Sequence, residues 1–94
     1  MSGPTFAQYE AAARRDGYDE VVERTWEASA TVPLHDHPFA VKALVVAGEM
    51  WLTEGEVTRH LGPGDRFELA ARAPHAERYG EGGATYWAAR RHPR

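Results

Sequence analysis

The 94-residue sequence has no cysteine, which excludes disulfides, thiolate metal ligands and a cysteine nucleophile. Any metal held by this chain must be held through nitrogen and oxygen. Long apolar runs are missing too. Nowhere does the sequence reach the ~18 uninterrupted apolar residues that mark a membrane span. The opening Met1–Glu10 also lacks the basic-then-apolar order of a secretory signal. A cytoplasmic protein without membrane contact is the expectation. Serine is confined to Ser2 and Ser29, both remote in sequence from the histidines. No G-x-S-x-G elbow, phosphate-binding loop or H-E-x-x-H helix is present, so a serine triad is a poor reading. Positive charge is scarce as well: residues 1–89 carry 8 basic and 14 acidic side chains, with Arg90, Arg91 and Arg94 added only at the end. Nucleic acid is therefore not the expected partner of the body, and the basic tail is expected to be a frayed, solvated terminus.

What is present describes one ordinary globular domain, with 43% hydrophobic and 27% charged residues. A chain of this size buries roughly 60–70% of its unfolded surface, enough for one modest core. Thr5-Phe6-Ala7-Gln8 fits a capping box, and Glu10 follows to favour the positive end of the helix dipole. A helix is expected over Phe6–Arg15, with Phe6, Tyr9 and Ala13 as a narrow apolar stripe that packs on something larger. Asp16-Gly17 stops it.

Beyond Gly17 the periodicity changes toward two, and β-branched and aromatic segments alternate with glycine and proline. The expected strands are Glu20–Trp26, Ala30–His37, Val41–Ala47, Glu49–Thr53, Glu56–Leu61, Arg66–Leu69, His75–Tyr79 and Ala84–Arg90. Glu54-Gly55 and Pro63-Gly64-Asp65 are turns, and Gly80-Glu81-Gly82-Gly83 is a third break. The fold class is all-β: a small antiparallel β-barrel or double sheet with a short N-terminal helix. Residues 1–18 form the helical arm and 19–94 the single barrel domain.

In an extended strand, side chains two apart share a face, so His35 and His37 point the same way and Asp36 the other. Two imidazoles on one face can reach a common ion at about 2.0–2.1 Å. Alone, a bare H-x-H is a weak signal. Spacing adds to it, for here the chain resembles the cupins. Their first motif, G-x5-H-x-H-x3,4-E-x6-G, counts back from Gly48 to His35 and His37, with Val41 in the place of the glutamate. Their second, G-x5-P-x-G-x2-H-x3-N, runs from Gly64 to His75, with Ala70, Arg72 and Tyr79 in the proline, glycine and asparagine places. The resemblance covers about residues 19–90 and implies a cupin jelly roll, RmlC-like in form. It further implies a metal site that keeps His35, His37 and His75 and has lost its carboxylate.

Three neutral imidazoles can hold a divalent ion on one face and leave positions open. A site without its acid should favour an anionic ligand and hold metal less firmly. Glu77 shares the face of His75 by parity and is a candidate ligand or acid–base group, unless a bulge or strand end turns it to solvent or it pairs with Arg72 or Arg78. Tyr79 is a candidate to bond a bound substrate, and Phe39 and Val41 are candidates for an apolar pocket wall. Lys42 should point outward. His60 and His92 are expected to be bystanders, with Leu61 the inward residue beside His60. Asp36 is expected to be a surface charge, and Phe39, Trp51, Phe67, Tyr86 and Trp87 are first of all core or interface residues.

Two functions follow. One is an enzyme that uses a divalent transition metal, with iron the first to test and manganese, nickel or zinc as alternatives. The resemblance to three-histidine cupin dioxygenases then implies oxidation of a small organic acid or diketone. The other is a non-catalytic module that binds or senses a metal or small ligand. A third, metal-free reading makes the histidines hydrogen-bonders in a sugar isomerase-like or structural barrel. A homodimer is expected in each.

Overall fold

The capping box forms as its residues dictate. In a computed structural model that describes residues 3–93, Thr5 Oγ1 accepts from the Gln8 amide at 3.1 Å, and the Thr5 amide donates to Gln8 Oε1 at 2.9 Å. Helix α1 runs Phe6–Arg15, with Tyr9 and Ala13 buried. Glu10 lies beyond the first turn and pairs instead with Arg14, 3.1 Å away and one turn on.

Among the described residues six strands follow: β1 Glu20–Trp26, β2 Thr31–His35, β3 Ala40–Glu54, β4 Val57–Leu61, β5 Arg66–Leu69 and β6 His75–Arg91. All pairings are antiparallel. The eight expected strands become six because two glycine breaks are bends within continuous strands. β3 continues through Gly48 (φ 75°) and β6 through Gly83 (φ 70°), and the β3–β6 register slips on both sides of Gly48. The first half of β3 pairs with β5 and the second half with β4. Likewise β6 pairs first with β2 and then with β1. Each long strand therefore serves two sheet layers and turns the corner at its glycine. This is the antiparallel jelly-roll arrangement that the resemblance implied.

The core lies between the layers and includes Val45, Met50, Leu52, Phe67, Tyr79 and Tyr86. Each large apolar side chain buried there contributes about 1.5–3 kcal/mol. A smaller cluster on the outer face joins Tyr9 and Ala13 of the helix to Leu44 and Ala89, with Trp87 alongside and Phe6 edge-on to it at 5.5 Å. Lys42 points outward as expected, beneath the helix, its carbonyl accepting from the Tyr9 hydroxyl at 2.8 Å.

Other sequence expectations shift in detail. The first hairpin turns on Gly55-Glu56, because Glu54 and Val57 are themselves paired. The C-terminal residues are not frayed as far as they are described. β6 includes Arg90 and Arg91, and His92 donates its amide to Asp19 at 2.8 Å and its ring meets Glu20 at 3.1 Å. Arg94 lies outside the described residues, as do Met1 and Ser2. Trp51 is not a core residue: it lies between the His60 ring, parallel at 4.5 Å, and the Arg78 guanidinium at 4.0 Å. His60 faces water and pairs with Glu49, while Leu61 is buried. Among the described residues, no helix is long and apolar enough to cross a membrane.

Candidate metal centre

His35 reaches the interior only because β2 breaks its alternation. Ala30 and Val32 pack on the core, so regular parity would send Leu34 inward and His35 outward. The pairing of β2 with β6 slips by one residue between Val32 and His35. Leu34 is left 70% exposed, and His35 stands directly opposite His75. An extra residue in a strand re-aims the side chains beyond it. His37 follows just past the strand end, held by its carbonyl, which accepts from the Arg72 amide at 2.7 Å.

The three imidazoles meet. One nitrogen from each of His35, His37 and His75 lies within 4.8 Å of the others, close enough to share one ion. Two of the rings are oriented by backbone carbonyls. His35 Nδ1 is 2.8 Å from Pro33 O, and His75 Nδ1 is 2.9 Å from Ala73 O. A carbonyl can only accept, so each Nδ1 carries a proton, and in the neutral imidazole it is Nε2 that offers the lone pair. His75 Nε2 is buried and has no hydrogen-bond partner, on a residue only 1% exposed. Such an orphaned acceptor costs free energy unless something fills its place. The donor set fits a divalent transition metal. Burial, followed by the neighbouring His35 and His75, holds the His37 pKa below the ordinary imidazole value, which favours its neutral, ligating form.

A carboxylate stands near the histidines although Val41 is not one. Glu77 is buried, and its Oε2 lies 3.5 Å from His75 Nε2 and 3.8 Å from His35 Nε2. Neither proposed competitor takes it: Arg72 pairs with Asp36 at 3.3 Å, and Arg78 lies over Trp51. A carboxylate from the candidate position Glu77 therefore stands beside the three imidazoles. Val41 is buried and lines the cavity wall, as does Phe39, which stacks on His37 at 4.8 Å.

Tyr79 is placed differently from its sequence reading. Its hydroxyl donates to Glu77 Oε1, and its ring stacks on Trp26 at 5.2 Å. It stands behind Glu77, outside the residues that line the cavity. Tyr86 adds a second buried phenol, which accepts from the Trp26 indole at 3.3 Å. Burial first, then Tyr86 and Glu77, pushes the Tyr79 pKa far up; burial and the Glu77 charge raise that of Tyr86. Both stay protonated through the neutral range.

The cavity beside the histidines holds about 110 Å³. Its wall includes two residues missed in the sequence reading, Arg24 and Arg90. The signal was there in the parity of Val22-Arg24-Trp26, but parity does not say which face is inside. His92, expected to stand apart, lies edge-on to Phe39 at 5.3 Å, close to this wall. Among the described residues two non-glycine residues have positive φ, Ser29 (58°) and Arg72 (65°), and both occupy places where the cupin motifs carry glycine. The backbone course of both motifs is thus retained without the residue that adopts it most easily.

No family model matches the sequence, and no curated protein does. Solved structures do. The DMSP lyase DddQ of Ruegeria pomeroyi DSS-3 is 32% identical, with a TM-score of 0.66 over 76% of this chain and 36% of that one. KdgF from Halomonas sp. is 21% identical, with a TM-score of 0.70 over 79% and 69% of the two chains. An RmlC-like cupin from Shewanella frigidimarina NCIMB 400 is 23% identical, with a TM-score of 0.66 over 74% and 63%. The chain thus spans just over a third of the lyase and less than two thirds of the Shewanella protein.

Proposed function

By its fold the chain is a member of the cupin superfamily, and from that premise we propose that it binds a divalent transition metal through His35, His37 and His75. Glu77 stands by as the fourth, anionic group. The observation that carries this reading is His75 Nε2: buried, without a hydrogen-bond partner, and grouped with two further imidazoles while its Nδ1 is tied to a carbonyl. A bound metal would act as a Lewis acid or redox centre toward a small organic acid or diketone in the adjoining cavity. Iron is the first candidate, followed by manganese, nickel and zinc.

The chain's own groups have separable parts in this proposal. His35 and His75 are held as Nε2 donors by Pro33 O and Ala73 O. Glu77 offsets the positive charge of the ion, and Tyr79 holds the carboxylate by donating to its other oxygen. Phe39 and Val41 exclude water from one side of the cavity. Oxygenase activity, an anionic ligand, a two-fold homodimer and a cytoplasmic setting belong to the same proposal.

The test is metal content of protein purified without a histidine tag and reconstituted anaerobically with iron, manganese, nickel or zinc. Wild type should retain metal, and His35→Ala and His75→Ala should lose it. Equal, negligible retention in all three overturns the site. The alternative, a binding or sensing module without turnover, is favoured by the way Glu77 already crowds two of the three donors. Oxygen uptake with candidate acids and diketones separates the two: uptake no greater than that of metal-free protein selects the module. Light scattering of the eluted protein reads the dimer.

A further inference from the structure

Two arginines face the cavity that holds the histidines, and their charges are not equally answered. Arg90 on β6 stands opposite Glu20 of β1, with Nη1 3.5 Å from Glu20 Oε1 and Cζ 4.9 Å from the Phe39 ring centre. Its charge is met within the fold. Arg24 lies four residues further along β1, opposite Tyr86, with Cζ 4.9 Å from the Trp26 ring centre. Among the described residues no acidic side chain makes an ion pair with it. Glu77, among the described residues the only acidic side chain on the cavity wall, has its oxygens near the Tyr79 hydroxyl and the His35 and His75 nitrogens.

An arginine cannot shed its proton. A guanidinium on a wall shared with Trp26, Val32 and Phe39 therefore keeps a full charge beside largely apolar side chains. Its planar fork matches a carboxylate in a way a lysine ammonium does not. The Trp26 indole, 4.9 Å from Cζ, attracts the guanidinium and limits where the fork can stand.

We propose that Arg24 is the specificity-determining residue of this cavity, receiving a carboxylate on a ligand whose second oxygen-bearing group faces the histidines. The substrate class is then short acids bearing two such groups. A cavity of about 110 Å³ is well below the roughly 300–1,000 Å³ of pockets for drug-sized molecules. The far end of this ligand rests on the metal reading above, but the preference for a carboxylate at Arg24 does not.

The test compares binding of malonate with that of its uncharged diamide, on zinc-loaded and on metal-free protein, by titration calorimetry. Wild type should prefer malonate. Arg24→Gln should lower malonate affinity roughly 10- to 100-fold and leave the diamide unchanged. Arg24→Lys, which keeps the charge without the fork and guards against misfolding of the glutamine variant, should recover part of the loss. Arg90→Gln should preserve the preference. A preference that survives Arg24→Gln and Arg24→Lys intact, or that vanishes with Arg90→Gln, overturns the proposal, as does a wild type indifferent between the two probes. An Arg24-dependent preference in protein that retains no zinc would keep this assignment and refute the metal reading alone.

Discussion

Strands β3 and β6 cross the molecule together, and they treat its two ends in opposite ways. At Gly48 and Gly83 the backbones come so close that side chains are excluded. A Cβ on Gly48 would lie 2.1 Å from Gly83 O, and one on Gly83 would lie 2.2 Å from Trp26 O. Toward the histidines the same barrel opens into a cavity whose wall carries imidazole, carboxylate and guanidinium. One place is held by backbone contact with nothing between; the other keeps polar groups whose partners are incomplete. Corner and mouth divide the labour of stability and chemistry, and substitutions should sort accordingly.

The largest effect is expected at the corner. Gly48→Ala and Gly83→Ala each meet backbone atoms closer than any real contact and also require a positive φ. Each should cost about 3–5 kcal/mol. For a domain of this size that lowers the midpoint of thermal unfolding by roughly 15 °C or more. If either variant melts like wild type, the corner is not the pinch described here.

At the mouth, Glu77→Gln should leave the fold nearly intact, because the amide oxygen can still accept from Tyr79. Metal affinity should nonetheless fall about 10- to 100-fold, the usual cost of disturbing a group that supports a metal's ligands. Competition with a chelator measures it. Unchanged affinity would mean that Glu77 offers no charge to the site.

The buried phenols sharpen the contrast by pH. Burial raises the Tyr9 pKa from 10.0 to about 12, and it raises those of Tyr79 and Tyr86 as well. A phenol harder to ionise when folded than when unfolded contributes stability that is present below pH 10.0 and lost as the pH climbs beyond it. Tyrosinate absorbance should therefore appear for these three only as the fold gives way, in step with circular dichroism. Early absorbance from all of them, with the fold intact, would contradict their burial.

The smallest effect is expected away from both places. Thr5→Ala removes the cap of α1 at a cost of about 1 kcal/mol and should not change metal retention. A loss of metal in that variant would tie the outer helix to the mouth.

The sequence by itself determined the helix, through a capping box that acts over four adjacent residues. It determined the distances from Gly48 to His35 and His37 and from Gly64 to His75, because motif spacing is chain length along strands. Through the resemblance to the cupins that these distances carry, the jelly-roll fold and the grouping of the three histidines were legible. Tertiary structure decided the rest, since the rest depends on which neighbour a strand finds. Whether Gly48 and Gly83 end strands or bend them depends on the partner that runs past the corner. His35 faces the interior only because β2 slips by one residue against β6, which alternation within β2 cannot foretell. Glu77 reaches the histidines from a position the motif does not reserve for an acid, because His75–Tyr79 stays regular and turns the same face inward. Arg24 joins them for a like reason: parity aligned it with Val22 and Trp26, and only the packing of β1 on β6 made that face the inner one.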